Sequence, residues 1–436
     1  MKKVYFIFYL AYFFMAPFFA YAYIDPGTGS LLLYSLIGIA TTLIFALKGL
    51  FYAIRDKLFT KGLKISEENK FGIVFHSEGS KYFHVFLPVI EELCKRKVPS
   101  VLITPDANDS AFEFKNDYFR VINPGNEMVT ISFMNNIHAD LVISTTPHLD
   151  IYMWKKSKNV KKYIHLFHSP TGSDFYEKYA LSFYDIIFSV GNFNEKGQKE
   201  LDNKRNLPQK QYYNIGCTYY DYMLKEYKEY STNSDGKTIL YAPTWGYERS
   251  SFFSCGQEIM KKLLEAGYKV IFRPHPQFFV SHIKEYSKFL EEIKKAPNFN
   301  NFSIDTNKTA IISMKKSDLL LTDFSGVLFD YAYLSEKPIL LLNVSNAYYG
   351  YEAEEMIPLS CEFDIPASKT LAHQLTNDEV QEISQTVKKY LTEKSNNTNK
   401  IQSFRNENIY NFGSAGEAAA LAIIKIHENL LEEGNK

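Results

Sequence analysis

The sequence predicts an α/β protein with two sheets of parallel strands, and two observations support this fold class. From residue 71 onward, short apolar runs alternate with amphipathic segments, as strands and helices do in βαβ units. A polar stretch at residues 230–236 interrupts the alternation and separates two series of similar size. Two such halves joined by a linker enclose a cleft, which is a common place for a ligand.

The clearest βαβ unit lies at residues 318–343. A short apolar run ends at Thr-Asp-Phe-Ser-Gly, residues 322–326, and the apolar residues that begin with Val327 recur at the spacing of one helical face. Pro338 ends this helix, and a second apolar run follows it. The helix therefore starts at the carboxyl end of the sheet, where free backbone N–H groups favour a phosphate.

The remaining elements follow from the same periodicities. Strands are predicted at 71–76, 98–104, 141–144, 163–167, 186–190 and 213–215, and in the second half at 237–244 and 268–273. Helices are predicted at 82–97, 127–137, 194–204, 257–266 and 283–295, with a helical tail at 377–433 that is broken near 395–399.

Residues 1–64 are predicted to form a membrane anchor. Two apolar runs flank a polar break, and lysines and an arginine follow the second run. The first run is either a signal segment, 1–22, or an uncleaved membrane helix, and the second, 31–52, is long enough for a transmembrane helix. Both versions place residue 65 onward in the cytosol. The alternative is a buried hydrophobic hairpin in a soluble protein, which the lack of amphipathic periodicity disfavours.

Composition excludes some classes of function. The chain has 436 residues and 46% hydrophobic content, enough for two or more cores, and its formal net charge of zero gives no general attraction to nucleic acid. The four cysteines are far apart in sequence and form neither a metal pattern nor a small disulfide framework. Since no metal-ligand spacing appears either, no metal site is predicted.

Three strand ends in the second half carry unusual polar residues. Ligands bind outside the carboxyl ends of the strands in an open parallel sheet, so these residues are expected to converge on one site. Arg273 can hold two phosphate oxygens, and His275 can donate to an oxyanion or protonate a leaving phosphate. The predicted site residues of this half are Thr244, Arg273, His275, Asp323, Ser325 and Gly326.

In the first half, the strand at 163–167 runs into His168 and a Pro/Gly turn. His168 is the candidate general base because it stands at the strand end, whereas His165 faces the opposite way and is expected to pack within the domain. The alternative for His168, taken alone, is a structural histidine. A basic run at 155–162 is either a solvated helix face or a surface for anionic lipid or a polyphosphate.

Three motifs together resemble one known family. They are Tyr-Ala-Pro-Thr-Trp at 241–245, Arg-Pro-His-Pro at 273–276 and Asp-Leu-Leu-Leu-Thr-Asp-Phe-Ser-Gly-Val-Leu-Phe-Asp-Tyr-Ala at 318–332. In this order and spacing they resemble the CDP-glycerol glycerophosphotransferases, which build the poly(polyol phosphate) chains of teichoic acids and some capsules. The resemblance covers residues 160 to 350 well and the amino-terminal domain only in pattern.

The resemblance implies a glycosyltransferase-B-like fold with two Rossmann-like domains that face a cleft. It implies an acceptor domain at 65–229 and a nucleotide-binding domain with C-terminal helices at 237–436. His168, Arg273 and His275 would then be catalytic, and Thr244, Asp323, Ser325 and Gly326 would bind the donor. Two motifs depart from the family: His-Ser-Pro-Thr at 168–171 replaces His-Gly-Thr-Pro, and Ser325-Gly326 replaces a Ser-Ser pair.

The function implied is transfer of glycerol or ribitol phosphate from a CDP-linked donor to a hydroxyl of a lipid-linked cell-envelope acceptor, with release of CMP. No cofactor is expected besides the donor substrate, and the expected location is the cytoplasmic side of the cell membrane. Two alternatives stay open. One is a nucleotide-sugar glycosyltransferase or epimerase of the same fold, and the other is a membrane-tethered module that binds an envelope intermediate without turnover.

Overall fold

The computed structural model describes residues 70–231, 234–307, 309–344, 348–392 and 395–434, together with the isolated positions 37, 39 and 41. The predicted anchor at 1–64, with its signal segment and its transmembrane helix, therefore lies outside the described residues except for those three positions. Among the residues described, no helix is both long enough and apolar enough to cross a bilayer. The chain from residue 65 to residue 436 forms one compact unit.

The first half of this unit contains a sheet of seven parallel strands with helices between them. Its strands are β1 Phe71–His76, β2 Ser100–Ile103, β3 Phe119–Ile122, β4 Ala139–Ser144, β5 Val160–Leu166, β6 Ile186–Ser189 and β7 Gln211–Asn214. Its helices are α1 Phe83–Lys95, α2 Glu127–Met134, α3 Asn192–Lys204 and α4 Thr218–Glu229. The strand order is β3-β2-β1-β4-β5-β6-β7, with Val74 of β1 paired to Val101 on one side and Val142 on the other. This is the order of a doubly wound sheet.

The second half contains a sheet of six parallel strands in the order β10-β9-β8-β11-β12-β13, which repeats the doubly wound arrangement. The strands are β8 Thr238–Tyr241, β9 Lys269–Phe272, β10 Phe302–Ile304, β11 Leu319–Thr322, β12 Ile339–Leu341 and β13 His373–Gln374. The helices are α5 Gln257–Glu265, α6 Pro276–Ser281, α7 Ile283–Ile293, α8 Ile311–Lys316, α9 Val327–Ser335, α10 Ala353–Met356, α11 Asp364–Leu371, α12 Asn377–Gln381, α13 Ile383–Thr392, α14 Ser395–Asn408 and α15 Ala415–Gly434.

The predicted βαβ unit is present as β11, α9 and β12. All four residues of β11 are buried, as the apolar run requires of a central parallel strand. Helix α9 ends at Ser335 and is followed by Glu336, whose φ of 54° is left-handed, and Pro338 comes two residues later. The Glu336 carboxylate accepts hydrogen bonds from Arg405 and Gln402, so tertiary contacts hold this helix end.

Some strands carry too little sequence signal to be predicted. Strand β3 lies at one edge of the first sheet with three of its four residues partly or fully exposed, and β10 is a three-residue edge strand with none buried. Strand β13 has two residues. Edge strands of this length need neither a buried run nor a clear alternation, so periodicity does not detect them.

The last helix corrects the predicted domain assignment. The resemblance implies that the C-terminal helices belong to the second domain, but α15 contributes Ala419 and Ile423 to the hydrophobic core of the first half, beside Phe75. Gly416 allows this contact, because a Cβ there would lie 2.7–2.9 Å from atoms of Pro88 in α1. The chain therefore returns to its first half after completing the second.

A segment of the second half packs against the first. Arg205 at the end of α3 forms a buried ion pair with Glu352 and a second contact with Glu355. At the other end of α3, the rings of Phe193 and Phe363 stack with their centroids 3.6 Å apart. Separating the two halves here would break a buried ion pair and leave an uncompensated buried charge, so this contact opposes their separation.

Candidate functional site

A cleft of about 410 Å³ lies between the two halves, at the carboxyl ends of strands from both sheets. Five of the seven predicted site residues line it: His168, Arg273, His275, Ser325 and Gly326. We call its two sides the first-half wall and the second-half wall. The first-half wall consists of Lys81, Tyr82, His84, His168, Ser169, Pro170 and Tyr219. The second-half wall consists of Ala242, Pro243, Arg273, Pro274, His275, Pro276, Thr309, Ala310, Ser325, Gly326, Val327 and Asp330.

The tautomer of His275 is fixed by its position before α6. Its Nδ1 accepts a hydrogen bond from the backbone N–H of Gln277 at 3.1 Å, so the side chain caps the helix. An imidazole whose Nδ1 accepts is neutral and carries its proton on Nε2. Burial, together with the nearby Arg273, lowers the pKa of His275 and favours this neutral form. The residue is thus set to donate from Nε2 to an oxyanion in the cleft.

Arg273 is held by partners that the sequence did not predict. One of its terminal nitrogens donates to Asp305 Oδ2 at 2.7 Å, and the other donates to the backbone carbonyl of Asn307 at 2.9 Å. Asp305 is itself held by Ser313. Two of the five guanidinium N–H groups are therefore committed, and the remaining donors keep enough capacity for a phosphate.

The start of α9 supplies backbone donors. The Ser325 N–H already donates to the Asp323 carbonyl at 2.7 Å, so it is committed to the turn. The N–H groups of Gly326 and Val327 begin the helix and lie among the residues that line the cleft, as does the Ser325 side chain. A Cβ on Gly326 would meet no atom within 4 Å. The protein itself therefore has room for a larger residue at this position.

Thr244 and Asp323 stand behind the second-half wall rather than on it. Asp323 is fully buried, and its carboxylate accepts from the Thr244 N–H at 2.7 Å and from both the N–H and the hydroxyl of Ser251 at 2.8 Å. Burial raises the pKa of Asp323 to about 6, against the effect of these hydrogen bonds. The structure thus corrects the expected donor contact of Asp323: this side chain positions the loop after β8.

His168 lies on the opposite wall, two residues after β5. Its ring stacks parallel to Tyr176 at 6.2 Å and meets Tyr82 edge to face at 5.4 Å. Within the described part of the chain its buried Nδ1 has no hydrogen-bond partner. Burial is the main reason that the pKa of His168 falls to about 4, with Coulomb contributions from His84 and Lys81. His168 is therefore neutral at physiological pH and able to accept a proton.

His165 is fully buried against Phe167 and Tyr184, as expected for a packed residue. The basic run at 155–162 is not a helix face, since most of it leads into or lies in β5. Lys156 pairs with Asp185, and Lys161 pairs with Asp140. Because these lysines are paired with carboxylates, this surface carries fewer unpaired positive charges than the sequence suggested.

Other residues of the cleft were missed by the sequence analysis. Lys81, Tyr82 and His84 come from the loop after β1 and the start of α1, and His84 packs between Tyr219 and Tyr222. These residues could have been predicted from the preference of ligands for the carboxyl ends of parallel strands, because the predicted strand 71–76 is followed directly by this polar loop. No motif marked the loop as different from an ordinary βα connection.

Asp330, on the second-half wall, was also missed. It projects from α9 into the cleft, and the Tyr220 hydroxyl donates to its Oδ1 at 3.3 Å. Burial raises the pKa of Asp330 to about 7. A carboxyl group in this position can accept from ligand hydroxyls. Among the described residues, no group of three or more His, Cys, Asp or Glu could hold a metal ion.

Comparison with known proteins gives a family match. The sequence profile of the CDP-glycerol:poly(glycerophosphate) glycerophosphotransferases matches residues 177–415, which is more than half of the chain. The teichoic acid poly(glycerol phosphate) polymerase of Bacillus spizizenii is 33% identical over 151 residues. That alignment covers 30% of this chain and 34% of the relative, so the chain matches about a third of the length of this curated protein.

The fold is also similar to solved structures. The wall teichoic acid polymerase TagF superposes with a TM-score of 0.51 and 17% sequence identity, over 91% of this chain and 99% of that chain. A TagF structure soaked with CDPG gives a TM-score of 0.52 and 16% identity, over 91% of this chain and 98% of that chain. At this identity the likeness concerns the fold, and it agrees with the two doubly wound sheets seen here.

Proposed function

Since this chain belongs to the CDP-glycerol:poly(glycerophosphate) glycerophosphotransferase family, we propose that it transfers a polyol phosphate, glycerol or ribitol phosphate, from a CDP-linked donor to a hydroxyl of an acceptor. CMP is the second product. The observation that carries this proposal is the pairing of two walls in one cleft. His168, which is neutral and within the described residues has no hydrogen-bond partner on its buried Nδ1, lies on the wall opposite a set of phosphate donors from the second half.

In the proposed step, the acceptor oxygen attacks the phosphorus that bears the donor's polyol. The acceptor O–H proton passes to a ring nitrogen of His168, which lines the cleft. A new P–O bond forms to the acceptor, and the P–O bond of the pyrophosphate breaks with its electron pair going to the departing CMP. Proton transfer by a positioned histidine contributes about 10²–10⁴ in rate.

The second-half wall stabilises the charge that develops on the pyrophosphate. His275 donates from Nε2, Arg273 contributes its uncommitted N–H groups, and α9 contributes the N–H groups of Gly326 and Val327 with the positive end of its dipole. Arg273 and His275 are oriented before the ligand arrives, because Asp305 and the Gln277 N–H hold them. The turn before α9 is closed by the hydrogen bond from the Ser325 N–H to the Asp323 carbonyl.

The low pKa of His168 fits a base that acts only in the complex. In the free protein burial keeps the imidazole neutral but also makes it a weak base. A bound donor brings negative charge across the cleft, which raises the histidine pKa toward neutrality. Activation of the base by the donor would limit deprotonation to complexes in which transfer is possible.

The lipid-linked acceptor and the membrane location are also parts of the proposal. Their support is the apolar pattern of residues 1–64, with basic residues after the second run. Anchored in this way, the cleft would work at the cytoplasmic face of the cell membrane. The full-length chain should then sediment with membranes and resist extraction by high salt, whereas recovery in the soluble fraction would contradict the anchor.

A donor screen tests the activity. CDP-glycerol, CDP-ribitol and UDP-sugars are compared by thermal shift, since a ligand at 100 times its Kd stabilises a protein by about 2.7 kcal/mol. The proposal expects one CDP-polyol to raise the Tm most and CMP to be released when acceptor membranes are added. Stronger stabilisation by a UDP-sugar would favour a glycosyltransferase or epimerase instead. Binding of a CDP-polyol without any CMP release would favour the module that only binds.

A further inference from the structure

A second cavity, of about 300 Å³, lies beside the cleft at the carboxyl edge of the first sheet. It is lined by residues that follow β1, β2 and β4, and by residues of α2. Lys81 lines both this cavity and the cleft, so the two spaces are neighbours. Nothing in the proposed phosphoryl transfer uses the second cavity.

Two buried polar groups that line the cavity have no hydrogen-bond partner among the residues that the structure describes. Trp154 is 5% exposed, and within the described residues its indole Nε1–H donates to no acceptor. The Thr146 hydroxyl, also in the lining, is buried without a partner in the same sense. Leaving a buried donor unpaired costs about 1–3 kcal/mol, so such groups are uncommon unless a ligand or water satisfies them.

The remaining lining is suited to hydroxyl groups. His76 is buried, its Nδ1 lies 3.1 Å from the Ser144 hydroxyl, and burial lowers its pKa to about 4, so the ring is neutral. Glu78 and Glu127 add two carboxylates that accept hydrogen bonds. Against these, Lys81 is the one cation among the described residues of the lining, and it stands on the side shared with the cleft.

This distribution of charge selects between ligand classes. Carboxylates repel a phosphate, but they accept hydrogen bonds from hydroxyls, while the indole N–H and the threonine hydroxyl can donate to hydroxyl oxygens. A phosphate attached to such a ligand would be favoured only at Lys81, at the border with the cleft. The cavity is therefore complementary to an uncharged group that bears hydroxyls.

We propose that this cavity, which we call the polyol pocket, binds an uncharged hydroxyl-bearing unit of the acceptor, adjacent to the unit whose hydroxyl reacts at His168. Trp154 and Thr146 donate to the unit, and Lys81 lies beside the group that links it to the reacting unit. The inference rests on the proposed function in identifying the bound unit as part of the acceptor, whereas the binding itself can be measured without turnover.

The chain contains two tryptophans, Trp154 in the polyol pocket and Trp245, whose ring stacks on His275 at 6.2 Å. A full-length W245F variant therefore leaves Trp154 as the only indole reporter. The probes are synthetic tri(glycerol phosphate), tri(ribitol phosphate) and inorganic phosphate. A change in Trp154 emission that saturates with one of the two polyol probes, and is absent with phosphate, is the expected result.

A matched pair of isosteric changes then tests the pocket. Thr146→Val removes its hydroxyl from the lining. Thr145→Val removes the buried hydroxyl of the neighbouring residue, which lies outside the lining and, like that of Thr146, has no partner in the described part of the chain. In the W245F background, Thr146→Val should raise the Kd of the polyol probe about 5-fold, as expected for one lost neutral hydrogen bond, whereas Thr145→Val should leave it within about 2-fold.

Three outcomes overturn the proposal: no emission change with either polyol probe, the same change with inorganic phosphate alone, or equal weakening by both threonine variants. Failure of the proposed function is seen separately, as absence of CMP release from CDP-glycerol and CDP-ribitol by the unmutated protein. Probe binding at Trp154 without CMP release would support the polyol pocket and contradict the proposed transferase activity.

Discussion

The two walls of the cleft differ in how their polar groups are paired. On the second-half wall, Arg273 is tied to Asp305, His275 is tied to a backbone N–H, and Asp323 behind them accepts three hydrogen bonds. On the first-half side, within the described residues, His168 Nδ1 and the Tyr176 hydroxyl are buried without partners. The same is true of Trp154 Nε1 and the Thr146 hydroxyl in the polyol pocket.

This difference indicates two modes of binding. A wall whose donors are already oriented costs little reorganisation when a charged ligand arrives, so it is suited to the fixed geometry of a pyrophosphate. A wall with unpaired groups gains its hydrogen bonds only when the ligand is present. Changes to the second-half wall should therefore affect stability and donor binding, and changes to the first-half wall should affect rate and acceptor binding.

The largest expected effect comes from removing the carboxylate behind the second-half wall. Asp323→Ala leaves the N–H groups of Thr244 and Ser251 without their acceptor, and we expect a loss of about 3 kcal/mol in the free energy of unfolding. Urea denaturation measures this loss, and CDP-polyol binding should weaken with it. Ser254→Ala, which removes a hydroxyl that donates to the Ser251 carbonyl and to the Cys255 sulfur, is the control. Equal stability of the two variants would contradict a supporting role for Asp323.

His275→Asn separates helix capping from donation to the ligand. Asparagine is a good N-cap, so α6 should keep its start, but its short side chain cannot replace Nε2–H in the cleft. Loss of one oriented donor should lower kcat by about 10²-fold with little change in Tm. Steady-state kinetics and thermal unfolding together decide this point. A variant with full activity would show that His275 is only a cap.

A pH effect tests how the segment at 361–364 is joined to the loop after His168. Asp174 accepts from the N–H groups of Phe363 and Asp364, and Asp364 accepts from the Gly172 N–H. Burial raises the pKa of Asp174 to about 6, and burial beside Asp174 raises the pKa of Asp364 as well. Because the folded pKa values exceed the unfolded ones, the pair's contribution to stability is complete below pH 4 and is lost as pH rises through about 6.

Asp364→Asn keeps an acceptor for Gly172 and removes one of the two charges. We expect the variant to exceed the parent by about 1 kcal/mol in stability at pH 8 and the difference to shrink toward pH 5. Urea denaturation across this pH range measures the difference in the free energy of unfolding. The other titrating groups are the same in both proteins, so their contributions cancel in this difference. A stability difference that grows as the pH falls would show that charge on Asp174 and Asp364 does not destabilise the parent.

The smallest expected effect is that of Gly326→Ser. Since a Cβ at this position would meet no protein atom within 4 Å, the folded state should keep its Tm. An added hydroxyl beside the start of α9 should tighten donor binding by about 2- to 5-fold if it reaches a phosphate oxygen. Calorimetric titration with the preferred CDP-polyol tests this. Weaker donor binding at unchanged Tm would mean that the ligand itself needs the glycine for close approach.

The sequence predicted the second-half wall better than the first because of where the residues stand. Arg273, His275, Ser325 and Gly326 each follow a buried strand within a few positions, and parallel strands bring their carboxyl ends to one edge. The central strands could be predicted equally well, because their apolar runs are long. Resemblance to the family added the role of His168, which periodicity alone left open.

What the sequence did not predict depends on contacts between distant segments. Asp305 meets Arg273 across 32 positions, Trp154 meets His76 across the first sheet, and α15 returns to α1 after more than three hundred residues. Local propensity does not indicate which distant residues will be in contact. The supporting place of Asp323 was also hidden, since a carboxylate after a strand looks the same whether it faces a ligand or the protein interior.

The most direct test of the account is the rate of transfer by His168→Ala at saturating CDP-polyol, measured beside the Kd for that donor. If His168 is the acceptor's base and the second-half wall binds the donor, transfer should fall by about 10²–10⁴-fold while the donor Kd stays within about 2-fold. Transfer at the parent rate would contradict the role of His168. A large rise in the donor Kd would contradict the division of labour between the two walls.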